Sequence, residues 1–425
     1  MRILIISALF PPHVQGGAEL SAGNLAQWLV AQGHEVGVLT TSPNPDDELS
    51  GAQVGGVTIW RATMPRAYTV FDAAQRSGWQ KPVWHLQDHF DPRNKTIVAN
   101  VLDAFKPDVA NVHIIQGIGY NAILELAKRD IPTVFTLHDL SLACVKMAMF
   151  LNGSECRGLC RTCSFSARVK MGFIRKMQRV GFVSPSAANL NKLSNLLPIR
   201  DYPAAHILNP NKYPTPTVRH EPSKTVRLLY VGRLHETKGV DVALDALEPL
   251  ADQHDFTFTV VGTGPDAESL KKRCLNHKWV TFTGHVSMEE VANRMAGSDM
   301  LLIPSIWQEN SPGVVIQALG ESLPVMGSNK GGIPELVSDG INGVLVAPGD
   351  VEAWRAALKS ILENPAQLAA LRDNARRGAH EFEQGTLGNK LVSFFETVRR
   401  TATGAALPMD TDRGVTDGKR AAGTF

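Results

Sequence analysis

The chain has 425 residues, with 43 Lys and Arg against 41 Asp and Glu, for a net charge of +2. That length suffices for two α/β domains of ordinary size, and the near-neutral balance excludes a global pull towards nucleic acid, so any preference for anions must be local. No apolar run approaches the ~18–20 residues that span a bilayer, and five cysteines in so long a chain do not suggest a disulfide framework.

Residues 3–7 read as a buried strand. The apolar run ends at Pro11-Pro12 without an A-x-A-like cleavage site, so a signal peptide is not expected and the expected location is the cytoplasm. A turn through Pro11, Pro12, Gly16 and Gly17 leads into a helix over 18–32, and 35–41 is the next strand. This is a β–loop–α–β unit opening a parallel sheet. The Gly16-Gly17 pair at a helix start lets backbone approach a ligand closely. Residues 43–92 are poorly patterned. A strand is expected at 57–61 and irregular structure up to Pro92. Then follow a helix over 96–105, a strand over 108–113, a helix over 121–129 and a strand over 133–137, which ends at His138-Asp139. A His at the carboxyl end of a parallel strand points into the crevice where such sheets bind ligands; the alternative is a His that caps a loop.

Cys144, Cys156, Cys160 and Cys163 lie in one loop-like segment. They offer four soft ligands to a structural zinc, or they are four reduced thiols; the spacing is not a standard pair of C-x2-C hooks. From Cys156 to Arg200 there is no Asp or Glu. Val169, Phe173, Ile174, Met177 and Val180 recur at helical spacing within this basic stretch. Such a helix either meets an anionic membrane surface or packs on the core with a solvated basic face. A strand over 183–186, a helix over 187–197 and a strand over 205–208 complete the first half, and the four prolines within 209–223 mark a linker.

Strand–helix alternation then restarts, with strands expected at 226–231, 256–261, 280–283, 300–303, 324–327 and 343–346. The first ends in Gly232-Arg233-Leu234, and Lys238-Gly239 follows at a helix start. Two cations and a helix N-terminus in one turn suit a diphosphate; a solvated basic turn is the alternative. The turn Gly262-Thr263-Gly264 fits the short dinucleotide variant G-x-G-x-x-A through Ala267, but no acidic ribose ligand is placed to match it. Beyond residue 304 comes a polar turn with Glu309 and Asn310, Ser311 in the N-cap position and Pro312 in the first helical turn. A helix to about 322, a strand over 324–328 and a Gly331-Gly332 turn follow. This order sets a carboxylate and a row of unpaired N–H groups in one crevice. Helices are expected over 351–362, 367–382 and 386–400.

The segment P-P-x3-G-G-A-E with the later G-H-E-V, together with G-R-L-x3-K-G, V-G-x-G-P, E-x7-Q, G-G-x-P-E and N-G-x-L-V-x-P-G-D, resembles the retaining glycosyltransferases of family four, also called glycosyltransferase group 1. That family's signature is a Glu, seven residues and a second Glu; here Glu309 is the first and Gln317 holds the second position. The resemblance implies a GT-B fold: two Rossmann-like, doubly wound α/β domains facing one cleft. It implies that Arg233 and Lys238 neutralise the leaving nucleoside diphosphate, while Glu309 binds hydroxyls of the transferred sugar. Asn310 and Ser311 would offer backbone N–H groups, Gln317 would face the ribose, and Gly16 and Gly17 would close over the diphosphate. His138 would lie near the sugar from the opposite domain. The turns at Gly232 and Gly262 and the segment Gly284-His285-Val286 would frame the nucleotide, with His285 not expected as a direct ligand.

The expected organisation is therefore an acceptor-side domain over 1–208, a linker over 209–223, a donor domain over 224–382, a helix over 383–400 crossing back to the first domain, and a disordered tail over 401–425. The expected function is transfer of a sugar from a UDP- or GDP-sugar to a hydroxyl acceptor with retention of configuration and no cofactor. The acceptor would be a glycan or lipid-linked intermediate of cell-surface polysaccharide or glycolipid synthesis, with the protein at the inner face of the membrane. Two alternatives stay open: a non-catalytic nucleotide-sugar-binding scaffold, suggested by Gln317, and a sugar-nucleotide epimerase of related fold.

Overall fold

The computed structural model describes residues 1–44, 49–72, 79–151 and 154–401; the tail expected to be disordered lies outside these, apart from Thr401. The chain folds around two sheets. The first comprises β1 (Arg2–Ile6), β2 (Glu35–Thr41), β3 (Ala52–Val54), β4 (Val57–Ala62), β5 (Val109–Val112), β6 (Thr133–Thr136), β9 (Val180–Ser184) and β10 (Ala204–His206), with a small hairpin of β7 (Phe150–Leu151) and β8 (Ser154–Glu155) outside it. Its order is β10-β9-β6-β5-β1-β2-β4-β3, parallel except for β3 on β4. The second comprises β11 (Val226–Val231), β12 (Phe256–Val261), β13 (Val280–Gly284), β14 (Met300–Ile303), β15 (Val325–Ser328) and β16 (Gly343–Val346). Its order is β13-β12-β11-β14-β15-β16, parallel throughout.

These strands read as continuous apolar runs because both faces are covered. Along β1, Leu4 and Ile6 enter one core cluster while Ile3 and Ile5 enter another on the opposite face, the two-residue alternation of a strand. Helices cover the first sheet: α1 (Gly17–Ala31), α2 (Gln80–Phe90), α3 (Arg93–Phe105), α4 (Ile123–Lys128), α5 (Arg161–Ile174) and α6 (Ala187–Leu196). The second carries α7 (Val240–Leu247), α8 (Ala267–Arg273), α9 (Met288–Gly297), α10 (Gly313–Gly320), α11 (Ile333–Leu336), α12 (Val351–Glu363) and α13 (Pro365–Gly378). The last helix, α14 (Gln384–Arg400), buries Leu391, Phe395 and Val398 with Ile3, Trp28 and Val183 of the first sheet's layer. Truncating an aromatic as buried as Phe395 costs about 3–5 kcal/mol.

Three local expectations are corrected. Residues 80–90 form α2, where irregular structure was expected. Asp88 and His89 face inward there and blur the apolar pattern. The basic helix ends at Ile174, and Val180 opens β9. Met171, Ile174 and Met177 are buried in the core and Phe173 is half-buried, so the apolar stripe of 169–180 faces inward rather than outward. Helix α10 begins at Gly313 with Pro312 in the N-cap position, so Ser311 precedes the cap it was expected to supply.

Candidate active site

Both sheets change direction beside their first strand. β1 lies between β5 and β2, and β11 between β12 and β14. Loops leaving the carboxyl ends of such neighbours diverge and open a crevice. In the second sheet these are the loops after β11, β12, β14 and β15. They pack backbone against backbone, which dictates two glycines. Gly262 has φ +134, and a Cβ there would stand 1.8 Å from the Gly232 carbonyl oxygen. A Cβ on Gly332 would stand 1.6 Å from the Asn310 carbonyl oxygen. The Gly332 N–H also donates to the Glu309 carbonyl at 2.8 Å.

At the centre of this crevice is an ion pair between a half-buried ammonium and a buried carboxylate. Lys238, after β11, places Nζ 2.6 Å from Glu309 Oε1, after β14. The same oxygen accepts from Ser305 Oγ at 2.6 Å and Trp307 Nε1 at 3.0 Å. Burial opposes ionisation of Glu309, but the Lys238 charge and the three hydrogen bonds outweigh it and hold the carboxyl below its ordinary value. Arg233 projects from the same loop into solvent, on backbone fixed by the Tyr230 hydroxyl, which donates to the Arg233 carbonyl at 2.9 Å. Gly232 and Val286 are half-buried, and His285 is exposed. Gln317, on α10, is 3% exposed. Its Nε2 and the side-chain oxygens of Asn310, Ser311 and Ser328 are buried polar atoms without a partner among the described residues.

The opposite wall comes from the first sheet. Asn310 Nδ2 donates across the cleft to the carbonyls of Leu137 and His138, at 3.0 and 2.6 Å. This fixes the loop after β6 against the Glu309 turn. His138 is held in turn by residues that sequence reading passed over. Asn111 Nδ2 donates to the Val134 carbonyl and Thr136 Oγ1, so its Oδ1 faces His113 Nε2, 2.7 Å away, and accepts. His113 Nδ1 lies 2.7 Å from His138 Nε2. With both rings neutral, His113 carries its proton on Nε2 and accepts from His138 Nε2–H, which leaves Nδ1 of His138 as a lone pair. Burial lowers the His138 pKa to about 4 and holds that of His113 well below its usual value, so neither ring is charged at pH 7. The only sequence signal was Asn111-x-His113 on one face of a strand.

Glu335, of the G-G-x-P-E segment, makes a second link between the walls. Its carboxylate accepts from Ser186 Oγ at 2.9 Å, from Ala187 N–H at 2.8 Å and from Ala188 N–H at 2.7 Å. It thereby caps α6, a helix of the opposite unit, satisfying N–H groups that α6 cannot pair itself. Gly16 and Gly17, at the start of α1, are exposed, and nothing lies within 4 Å of a Cβ on Gly17. The cysteines follow the His138 turn in the chain, and Cys163 lies against both Cys144 and Cys160. Cys144 and Cys163 are buried, Cys156 is half-buried and Cys160 is exposed, all as free thiols. Among the described residues no group of three or more His, Cys, Asp or Glu side chains is placed to hold a metal ion.

Two parallel Rossmann-like layers whose loop ends face each other define the GT-B class of glycosyltransferase fold. Sucrose-phosphate synthase from Thermosynechococcus elongatus superposes with a TM-score of 0.72 at 17% identity, over 93% of this chain and 98% of that one. Anabaena HepE in complex with UDP does so with a TM-score of 0.65 at 17% identity, over 93% and 100%. The Glycosyltransferase Family 4 profile matches residues 15–190 and the Glycosyl transferases group 1 profile residues 216–378. The chain belongs to the group 1 glycosyltransferases. A glycogen synthase of Mycobacterium tuberculosis is 26% identical to it over 94% of this chain and 95% of its own length.

Proposed function

We propose that this glycosyltransferase moves a sugar from a nucleotide-sugar to a hydroxyl of a glycan or lipid-linked acceptor, with retention of configuration and without a metal. The observation that carries the reading is the Lys238–Glu309 pair at the crevice where the second sheet changes direction. The ammonium group has three donors. It can hold Glu309 and still meet a diphosphate oxygen, with the exposed Arg233 as second cation. Charge that develops as the glycosidic bond breaks would be neutralised there. Glu309 Oε1 is occupied by three donors, which leaves Oε2 to accept from a sugar hydroxyl. The Gln317 Nε2, without a partner among the described residues, suits donation to a ribose hydroxyl. Retention would follow from a front-face path in which the departing phosphate oxygen takes the acceptor proton, so that no side chain need act as nucleophile. UDP is the first donor base to test, because it is bound in the HepE structure. A polysaccharide acceptor is supported by the glycogen synthase relative.

The test is nucleoside diphosphate release from a panel of UDP- and GDP-sugars with glycan and lipid-linked acceptors, in excess EDTA. Acceptor-dependent release with an anomeric product signal matching the donor is expected. Release of an altered nucleotide-sugar without acceptor establishes the epimerase instead. Binding without turnover of any pair establishes the scaffold.

A further inference from the structure

Every exposed Trp or Phe among the described residues lies in one region of the first unit: Trp79 is 73% exposed, Phe90 43% and Phe165 62%. Trp79 immediately precedes α2, and Val83, Leu86 and Phe90 follow it at intervals of four, three and four residues, the spacing of one helical face. Val83 is 44% and Leu86 60% exposed, so that face is apolar and open. The opposite face cannot be exchanged for it. Asp88 is fully buried and accepts from the Gly117 N–H at 2.8 Å and from Arg66 at 3.0 Å, while Trp84 Nε1 donates to the Tyr68 carbonyl at 2.9 Å. These bonds set the rotation of α2 about its axis. Rolling its stripe inward would strand a buried carboxylate.

Helix α5 lies alongside. His89 Nε2 is 2.9 Å from Ser166 Oγ, and Phe90 meets Phe173 edge-on with ring centroids 6.3 Å apart. Its inner face buries Cys163, Ala167, Met171 and Ile174. Its outer face exposes Arg161, Phe165, Arg168 and, at the end of the helix, Arg175. No Asp or Glu occurs from Cys156 to Arg200. Asp88 of the same helix is buried on the opposite face, and Asp91, which follows Phe90, is paired with Arg93 at 2.7 Å. An apolar stripe containing exposed aromatics and flanked by unopposed arginines is what a negatively charged lipid–water interface accommodates: rings at the headgroup level and cations at the phosphates.

We propose that the exposed edge of α2 and the outer face of α5 form a docking surface for an anionic lipid bilayer. The inner sides of both helices hold loops at the carboxyl ends of the first sheet's strands. Asp88 of α2 holds Gly117 in the loop after β5, and Lys170 of α5 donates to the Ser141 carbonyl in the loop after β6, which carries His138. Docking there brings the acceptor-side wall to the membrane. The inference rests on the lipid-linked branch of the acceptor reading and names the surface that such an acceptor would be met on.

The experiment is sedimentation with vesicles of phosphatidylcholine alone and of phosphatidylcholine with phosphatidylglycerol, at low and high salt. Wild-type protein binds the anionic vesicles, less so at high salt. Leu86→Glu with Phe90→Glu lowers the partition at least tenfold, and Arg161→Glu with Arg168→Glu removes the preference for anionic lipid, each with an unchanged melting temperature. Trp79 is the one exposed Trp among the described residues, so vesicles shift Trp emission to the blue in wild type and much less in Trp79→Phe. That variant keeps the test open should a charge-inserting one fail to fold. No sedimentation with either vesicle overturns the proposal, as does binding indifferent to all three variants. A wild-type dimer that Leu86→Glu dissociates in ultracentrifugation also overturns it, because the face is then a self-interface. Vesicle binding with no turnover of lipid-linked acceptors retires the acceptor reading alone.

Discussion

Replacing Lys238 by Met tests the site at its centre. The methionine keeps the length of the side chain and deletes its charge, leaving the Glu309 carboxylate buried with only Ser305 and Trp307 as donors. Breaking a buried pair by removing one partner costs about 3–5 kcal/mol. The Lys238 side chain is 24% exposed, so water can reach the vacated position and the lower end, about 3 kcal/mol, is expected. Turnover should fall by about 10²–10³, the loss typical of one electrostatic contact to developing charge. The two losses separate by pH and by a second substitution. In wild type, Glu309 titrates below its ordinary value of 4.5, so it contributes stability above that pH and loses it as pH falls through the folded value. In Lys238→Met the lysine charge and its hydrogen bond are gone, so burial is opposed only by Ser305 and Trp307 and the pKa rises relative to wild type. The penalty is therefore largest at pH 7.5 and shrinks towards pH 5 as the carboxyl takes up a proton. Adding Glu309→Gln removes the stranded charge, so Lys238→Met with Glu309→Gln should be more stable than Lys238→Met alone while turnover stays low. Urea titrations at both pH values and a diphosphate-release assay measure the set. A stability gap independent of pH, or turnover restored in the double variant, refutes the reasoning.

Arg233→Ala should lower turnover by about 10²-fold with an unchanged melting temperature, because the guanidinium is exposed; a drop in melting temperature instead would make Arg233 a structural residue. Gln317→Glu places a carboxylate at a site only 3% exposed, so the free enzyme should melt lower at pH 7.5 and regain stability with saturating nucleoside diphosphate. Its turnover should exceed that of Glu309→Gln, and the reverse order in the same assay removes the assigned roles. Glu335→Ala deletes all three cross-cleft hydrogen bonds to α6. At about 1–2 kcal/mol for a helix cap, the closed arrangement should weaken by roughly 5–30-fold. Small-angle scattering should then show a larger radius of gyration, and the donor KM should rise more than kcat falls; an unchanged radius and KM would show that the link does not govern closure.

The strands, their buried character and the two α/β halves were legible because apolar runs and glycine turns are local signals. The Lys238 and Glu309 turns were legible for the same reason: each carries its chemistry within a few residues of a strand end. Other features required tertiary contact. Helix α2 escaped notice because Asp88 and His89 are buried among partners more than 25 residues away, Gly117 and Ser166, which no helical or strand period records. The stripe at 169–180 has a spacing that fits water, membrane or core equally; the layer already waiting for Met171 and Ile174 decided for core. The protonation of His138 depends on Asn111 and His113, and the capping of α6 on a carboxylate 147 or more residues along the chain. A sequence records which groups can bond and at what local spacing. Which of them meet across the cleft is set by the closing of two sheets on each other, and only the folded chain holds that information.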